Sequence, residues 1–151
     1  MKLMKVATLL VSIAIPSALI AQSAEDALEA RHGYMKLLGN EMGKLSAMAK
    51  GEVAYDEAAA TAAAKNLATL TSYSPVSLFI DGTSSEDDDD SEALPAVWEK
   101  PDDFAAKFDD LSKVAADAPA AVAGGVENLG AEMAKLGGAC KACHDDFRKK
   151  Q

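Results

Sequence analysis

The chain has 151 residues, with 24 acidic against 15 basic side chains and a formal charge of −9. A surface of that sign repels phosphate, which argues against binding nucleic acid. Aromatics make up only 5% of the residues and alanine is abundant, a composition suited to closely packed helices and unlike that of a sheet protein.

The first element reads as a leader. Lys2 and Lys5 precede an almost unbroken apolar run from Val6 to Ile20, and Ala21-Gln22-Ser23 follows with small residues. A basic start, a short apolar middle and a small-residue end predict a secretory signal peptide over residues 1–23. A membrane-spanning helix would need roughly 20 apolar residues. Cleavage is expected after Ala21 or Ser23. Residues 24–151 then form one domain, long enough for a compact core. Loss of Lys2 and Lys5 takes the basic residues from 15 to 13, and the formal charge from −9 to −11.

Four helices follow. The first runs from about Glu25 to Ala49, with Leu28, Met35, Leu38, Met42, Leu45 and Ala49 recurring at heptad-like spacing. Arg31 falls on the same stripe, where a buried guanidinium needs an anion. Lys50-Gly51 ends this helix. The second begins after Asp56, a good N-cap, and continues to about Ser72 on a stripe of Ala60, Ala63, Leu67 and Leu70. The third starts at Pro101, with Asp102 and Asp103 in its first turn and Phe104, Phe108, Leu111 and Ala115 facing inward. The fourth is expected to start near Pro119, or after Gly124-Gly125, on a stripe of Val126, Leu129, Met133, Leu136, Cys140, Cys143 and Phe147. No convincing period-two segment appears. The expected architecture is all-α: an antiparallel four-helix bundle with a long loop, about Tyr73 to Lys100, between helices 2 and 3.

Near the end of the fourth helix stands Cys140-Lys141-Ala142-Cys143-His144, the C-x-x-C-H sequence at which haem c is attached. Two thiols at this spacing add across the two vinyl groups of one porphyrin edge, and the adjoining imidazole reaches the iron. Cys140 and Cys143 are the only cysteines. A redox dithiol would normally follow a strand, and none precedes this pair. A structural zinc would have to recruit Cys140, Cys143, His144 and His32, an awkward tetrahedral set. A Cys140–Cys143 disulfide would strain a helix. Gly137-Gly138 leaves room for a flat, bulky group.

The whole mature chain resembles the class II c-type cytochromes, the cytochrome c′ family. The attachment motif lies at the carboxyl end of the last helix, and Asp145 to Lys150, Pro95-Ala96-Val97-Trp98 and Lys50 to Asp56 resemble further family segments, with Ala54 in place of a usual proline. The resemblance implies one covalently attached haem c, held by Cys140 and Cys143, with His144 as proximal iron ligand. Met35, followed by Met42 and Lys50-Gly51, is similar in register to the family's low-spin branch, in which a methionine of the first helix binds the iron. A thioether is a known haem ligand. His32, one turn before Met35, is a rival. Arg31 and Arg148 are the candidates for contacts to a propionate or the haem edge.

The acidic run Ser84 to Glu92 reads as a solvated, mobile stretch, with docking of a basic redox partner as its functional alternative. Calcium binding is weaker, since the spacing and glycine of an EF-hand are missing. The expected function is a periplasmic electron carrier, not an enzyme, with His144 and Met35 holding an iron that cycles between Fe(III) and Fe(II). The alternative is a five-coordinate, high-spin cytochrome c′ that binds nitric oxide or carbon monoxide. Either a monomer or a homodimer is compatible with these patterns.

Overall fold

The computed structural model describes residues 23–150. Of the expected leader, all but Ser23 lies outside the described residues. Ser23 Oγ accepts a hydrogen bond from Asp26 N at 3.0 Å and caps α1 (Ala24–Ala49).

Two rows of α1 are buried. The expected stripe places Leu28, Arg31, Leu38 and Leu45 inside, with Met35, Met42 and Ala49 half-buried along it. A second row, Ala27, Tyr34, Glu41 and Met48, repeats every seven residues on the adjoining flank. That row faces α2 (Glu57–Thr71). The Tyr34 hydroxyl donates to Leu70 O (3.3 Å), and Tyr73 O lies within reach at 3.5 Å. It thereby serves carbonyls that the end of α2 leaves without a helical partner. Asp56 caps α2 through Ala59 N at 2.7 Å, as expected. Ala60, Ala63, Ala64 and Leu67 are buried along α2, and short side chains there permit close helix packing.

The long connection has internal structure. Pro75–Leu78 forms a 3₁₀ turn, and Ala96–Glu99 forms a four-residue helix, α3. The acidic segment folds into turns. Ser84 Oγ donates to Asp87 at 2.6 Å, Asp90 N donates to Asp88 Oδ1 at 2.9 Å, and the flanking Ser84 and Ser91 are buried. These serines tie the acids into turns, while most of the carboxylates stay at the surface, as the solvated reading expects.

α4 spans Pro101–Val122 and contains Pro119, where the fourth helix was expected to begin. A proline inside a helix loses a hydrogen bond and costs about 3 kcal/mol. Here Ala118 and Val122 on either side of it are fully buried, and Tyr55 Oη donates to Val122 O at 2.7 Å. Tertiary contacts thus carry the helix through the proline. α5 (Val126–Phe147) starts after Gly125, whose φ of 100° suits glycine. Its inner row is Leu129, Glu132, Leu136 and Phe147; Val126 is 47% exposed, contrary to expectation.

α1 packs on α2 and α5, and α4 packs on the same two helices, so the four long helices form an antiparallel bundle. Among the described residues there is no strand, only an isolated antiparallel bridge between Ala93 and Arg148. One end of the core is aromatic. Phe104 meets Phe79, Phe108 and Phe147 edge-on, at centroid separations of 4.6, 5.2 and 5.2 Å. No helix among the described residues is long and apolar enough to cross a membrane.

Candidate haem site

Between α1, α4 and α5 the bundle opens into a cavity of about 480 Å³, closed on one side by the crossing loop. Its walls are largely apolar. α1 supplies Leu28, Met35, Leu38 and Met42, and α4 supplies Phe104, Phe108 and Leu111. α5 supplies Cys140, Cys143 and His144, which share one stretch of its surface because their spacing is close to one helical turn. All six residues expected at the site line this single cavity: Arg31, Met35, Cys140, Cys143, His144 and Arg148. His32 also borders it but is exposed, at the rim rather than within.

The electrostatics follow from burial. Burial pushes the Cys140 thiol up and the Cys143 thiol up to about 11, with Lys107 opposing the shift at Cys143, so both carry their protons at neutral pH. Burial also lowers the His144 pKa. Arg148 lowers it further, while Glu92 and Asp145 act against this. A neutral imidazole is the form that binds a metal. The two sulfurs are not bridged. Among the described residues no group of three or more His, Cys, Asp and Glu side chains is placed to hold a metal ion directly, which disfavours the zinc reading.

Arg31 is 5% exposed. Its Nη2 donates to Thr83 O at 3.2 Å, and its guanidinium carbon sits 4.7 Å from the centre of the Phe79 ring. Desolvation lowers its pKa, with Asp88 acting the other way. Nη1 is buried and has no hydrogen-bond partner. A buried cationic donor without a partner, on a side chain that lines the cavity, calls for an anion nearby.

Several lining residues escaped the sequence reading. Phe79 and Glu92 arrive on the crossing loop; no motif marks Phe79, and Glu92 was legible only as the end of the acidic run. Lys107 lies on α4, where it forms an ion pair with Asp146 of α5 at 2.9 Å. Phe104 and Phe108 were legible as an inward face, though their place against the cavity was not.

The family description Cytochrome C′ matches residues 26–148. The chain belongs to the cytochrome c′ family. It is 50% identical over 139 residues to cytochrome c′ of Cereibacter sphaeroides, covering 91% of this chain and 93% of that protein. The solved structure of cytochrome c′ from Rhodobacter sphaeroides superposes with a TM-score of 0.82 at 46% identity, covering 85% of this chain and 99% of the other. The nitric oxide complex of a variant of cytochrome c prime from Alcaligenes xylosoxidans superposes with a TM-score of 0.73 at 31% identity, covering 85% and 98%.

Cytochromes c′ carry one covalently attached haem c, and this chain is a haem c protein of that family. Its residues fit the group on independent grounds. Two thiols and an imidazole stand together on one cavity wall, the opposite wall is apolar, and the open Nη1 of Arg31 awaits an anionic group such as a propionate.

Proposed function

We propose that this cytochrome c′ family member is a periplasmic protein that holds a five-coordinate haem c and takes nitric oxide or carbon monoxide on its distal face. Cys140 and Cys143 form the two thioether bonds, each S–H adding across one vinyl double bond. His144 is the proximal ligand. The bound haem supplies an iron able to take a small neutral ligand and to change between Fe(III) and Fe(II). Arg31 holds a propionate in the buried end of the cavity. Arg148 stands beside the proximal imidazole.

The observation that carries the reading is the α1 wall. Leu28, Met35, Leu38 and Met42 line the cavity opposite the cysteine-bearing face of α5, and the one imidazole of that wall, His32, is exposed at the rim. This apolar stretch offers no charged partner and leaves room for a small uncharged molecule. High likeness to proteins named cytochrome c′, and the nitric oxide complex of one of them, support the same choice. The expected methionine-ligated, low-spin branch finds no support in those likenesses.

The electron carrier with His144 and Met35 as axial ligands stands as the second reading, on one observation. Met35 is half-buried on the cavity wall, and a thioether there is a competent ligand. In that case the iron would be saturated and the acidic surface of residues 86–92 would meet a basic redox partner. Neither reading assigns enzymatic turnover.

One preparation separates them. Protein made in a host that attaches haem c is expected to show a broad high-spin spectrum and to bind carbon monoxide readily. Met35→Ala should leave the spin state unchanged and speed carbon monoxide association about tenfold, the effect of removing roughly 1.4 kcal/mol of steric cost. Sharp low-spin α and β bands that Met35→Ala abolishes would overturn the open-site reading and establish the carrier. A polypeptide mass without added haem would end both.

A further inference from the structure

The chain leaves α5 abruptly at Arg148, whose backbone is extended at φ −119° and ψ 137°. The crossing loop explains the change. Leu94 N donates to Phe147 O at 2.9 Å, Lys149 N donates to Glu92 O at 2.8 Å, and Ala93 pairs with Arg148 in the antiparallel bridge. The last residues of the acidic segment are therefore clamped to the turn of chain that directly follows His144. Side chains reinforce the clamp. Glu92 Oε2 lies 2.9 Å from Arg148 Nε, as an ion pair without hydrogen-bond alignment at that nitrogen. Glu92, Arg148 and His144 all border the same cavity.

We propose that Glu92 is a positioning residue for the proximal ligand: it holds the Arg148 guanidinium beside His144 and partly neutralises it, and so sets how strongly the imidazole donates to the haem iron. The proposal rests on the reading of His144 as that ligand. Its physical basis is a pair of opposed charges at one ring. The Arg148 cation withdraws electron density from the imidazole, and the Glu92 anion, held against the cation, reduces that pull. The charges reach His144 with opposite signs, and Asp145 adds to the side of Glu92. Arg148 Nε is itself buried, while the two side chains are 35% and 47% exposed, so solvent screens part of the pair's attraction. Other carboxylates of the loop, such as Asp89 and Asp90, are exposed, and it is Glu92 that pairs with Arg148. A loop remote in sequence from the attachment motif thus acts on the ligand through one arginine.

Glu92→Gln keeps the backbone clamp and nearly the same shape while removing the charge. Resonance Raman of the ferrous haem protein should show a lower iron–histidine stretching frequency, and redox titration a higher reduction potential. Arg148→Leu should shift both readouts the opposite way, and adding Glu92→Gln to Arg148→Leu should shift them much less than Glu92→Gln does alone. Asp89→Asn, an equal charge change elsewhere in the loop, should also leave both where they are. The inference is overturned if Glu92→Gln leaves both readouts unmoved, if it shifts them equally with and without Arg148, or if Asp89→Asn shifts them as far. Failure of the wild-type chain to attach haem would instead strike the proposed function.

Discussion

Replacing Arg31 by methionine tests the assignment of an anion to the cavity. The guanidinium makes three interactions in the haem-loaded protein as proposed. One is the 3.2 Å hydrogen bond to Thr83 O, and that carbonyl keeps a second donor, Ser91 Oγ at 2.8 Å, when the arginine goes. Another is the contact with the Phe79 ring at 4.7 Å, worth about 0.5–1 kcal/mol. The third is the charge-assisted bond from the otherwise open Nη1 to a propionate, worth about 1.5–3 kcal/mol. Methionine is flexible enough to fill the space, so the cavity penalty is small. Relief of burying the charge offsets part of the loss, on the order of 1 kcal/mol. The net expectation is a destabilisation of about 2 kcal/mol, or roughly 6–8 °C in Tm for a domain of this size. Thermal unfolding of the haem-loaded protein, followed by circular dichroism, measures it. A Tm that stays within about 2 °C of wild type, or rises, would refute the reasoning, because an arginine without an anion costs stability when buried and its removal should then help.

Tyr34 provides a pH test. Burial, chiefly, pushes its hydroxyl up to about 12 from the ordinary value of 10.0. Its pKa is raised on folding, so its stabilising effect is complete below pH 10 and is lost as the pH rises through 12. Tyr34→Phe should therefore be destabilised by about 1 kcal/mol at neutral pH, and the gap from wild type should shrink between those values in alkaline denaturation series. Glu41 tests the acid side. Its hydrogen bond to Lys44, foremost, holds the carboxyl below the usual carboxylate range, so its contribution is present above that range and is lost as the pH falls through the lowered value. Glu41→Gln should be less stable than wild type at pH 7, and the gap should close as the pH falls through the lowered value; a urea-unfolding series from pH 7 into acid decides. Leu129 is fully buried in α5, and Leu129→Ala should cost about 3–4 kcal/mol by urea unfolding; a loss below about 1 kcal/mol would mean that the core around it is loose.

The readable parts of this molecule were those in which local spacing already carries the physics. Cys140, Cys143 and His144 fall on one helical face by register alone, and the stripe of Leu28, Leu38 and Leu45 recurs with the period of a packed helix. Met35 and Arg31 were placed at the cavity by the same stripe. The errors came where distant contacts outweigh local preference. Pro119 sits inside α4 because Ala118 and Val122 are buried on both sides of it. Val126 stays exposed because it occupies the first turn of α5, beyond the packed face. The row of Ala27, Tyr34, Glu41 and Met48 went unread because a tyrosine and a glutamate do not look like core positions until α2 lies against them.

The amino-acid order alone therefore pointed to which group is bound, to the stretch of the last helix where it would attach, and to helices as the make-up of the surrounding domain. Those conclusions rest on covalent chemistry and on a period of 3.6 residues, neither of which needs the rest of the fold. The crossing loop is another matter. Seating Phe79 on Arg31, bonding Arg31 to Thr83 O, and bringing Glu92 to Arg148 join positions about 50 residues apart in sequence. Such pairings depend on how the chain closes in space, and only the packed bundle decides them.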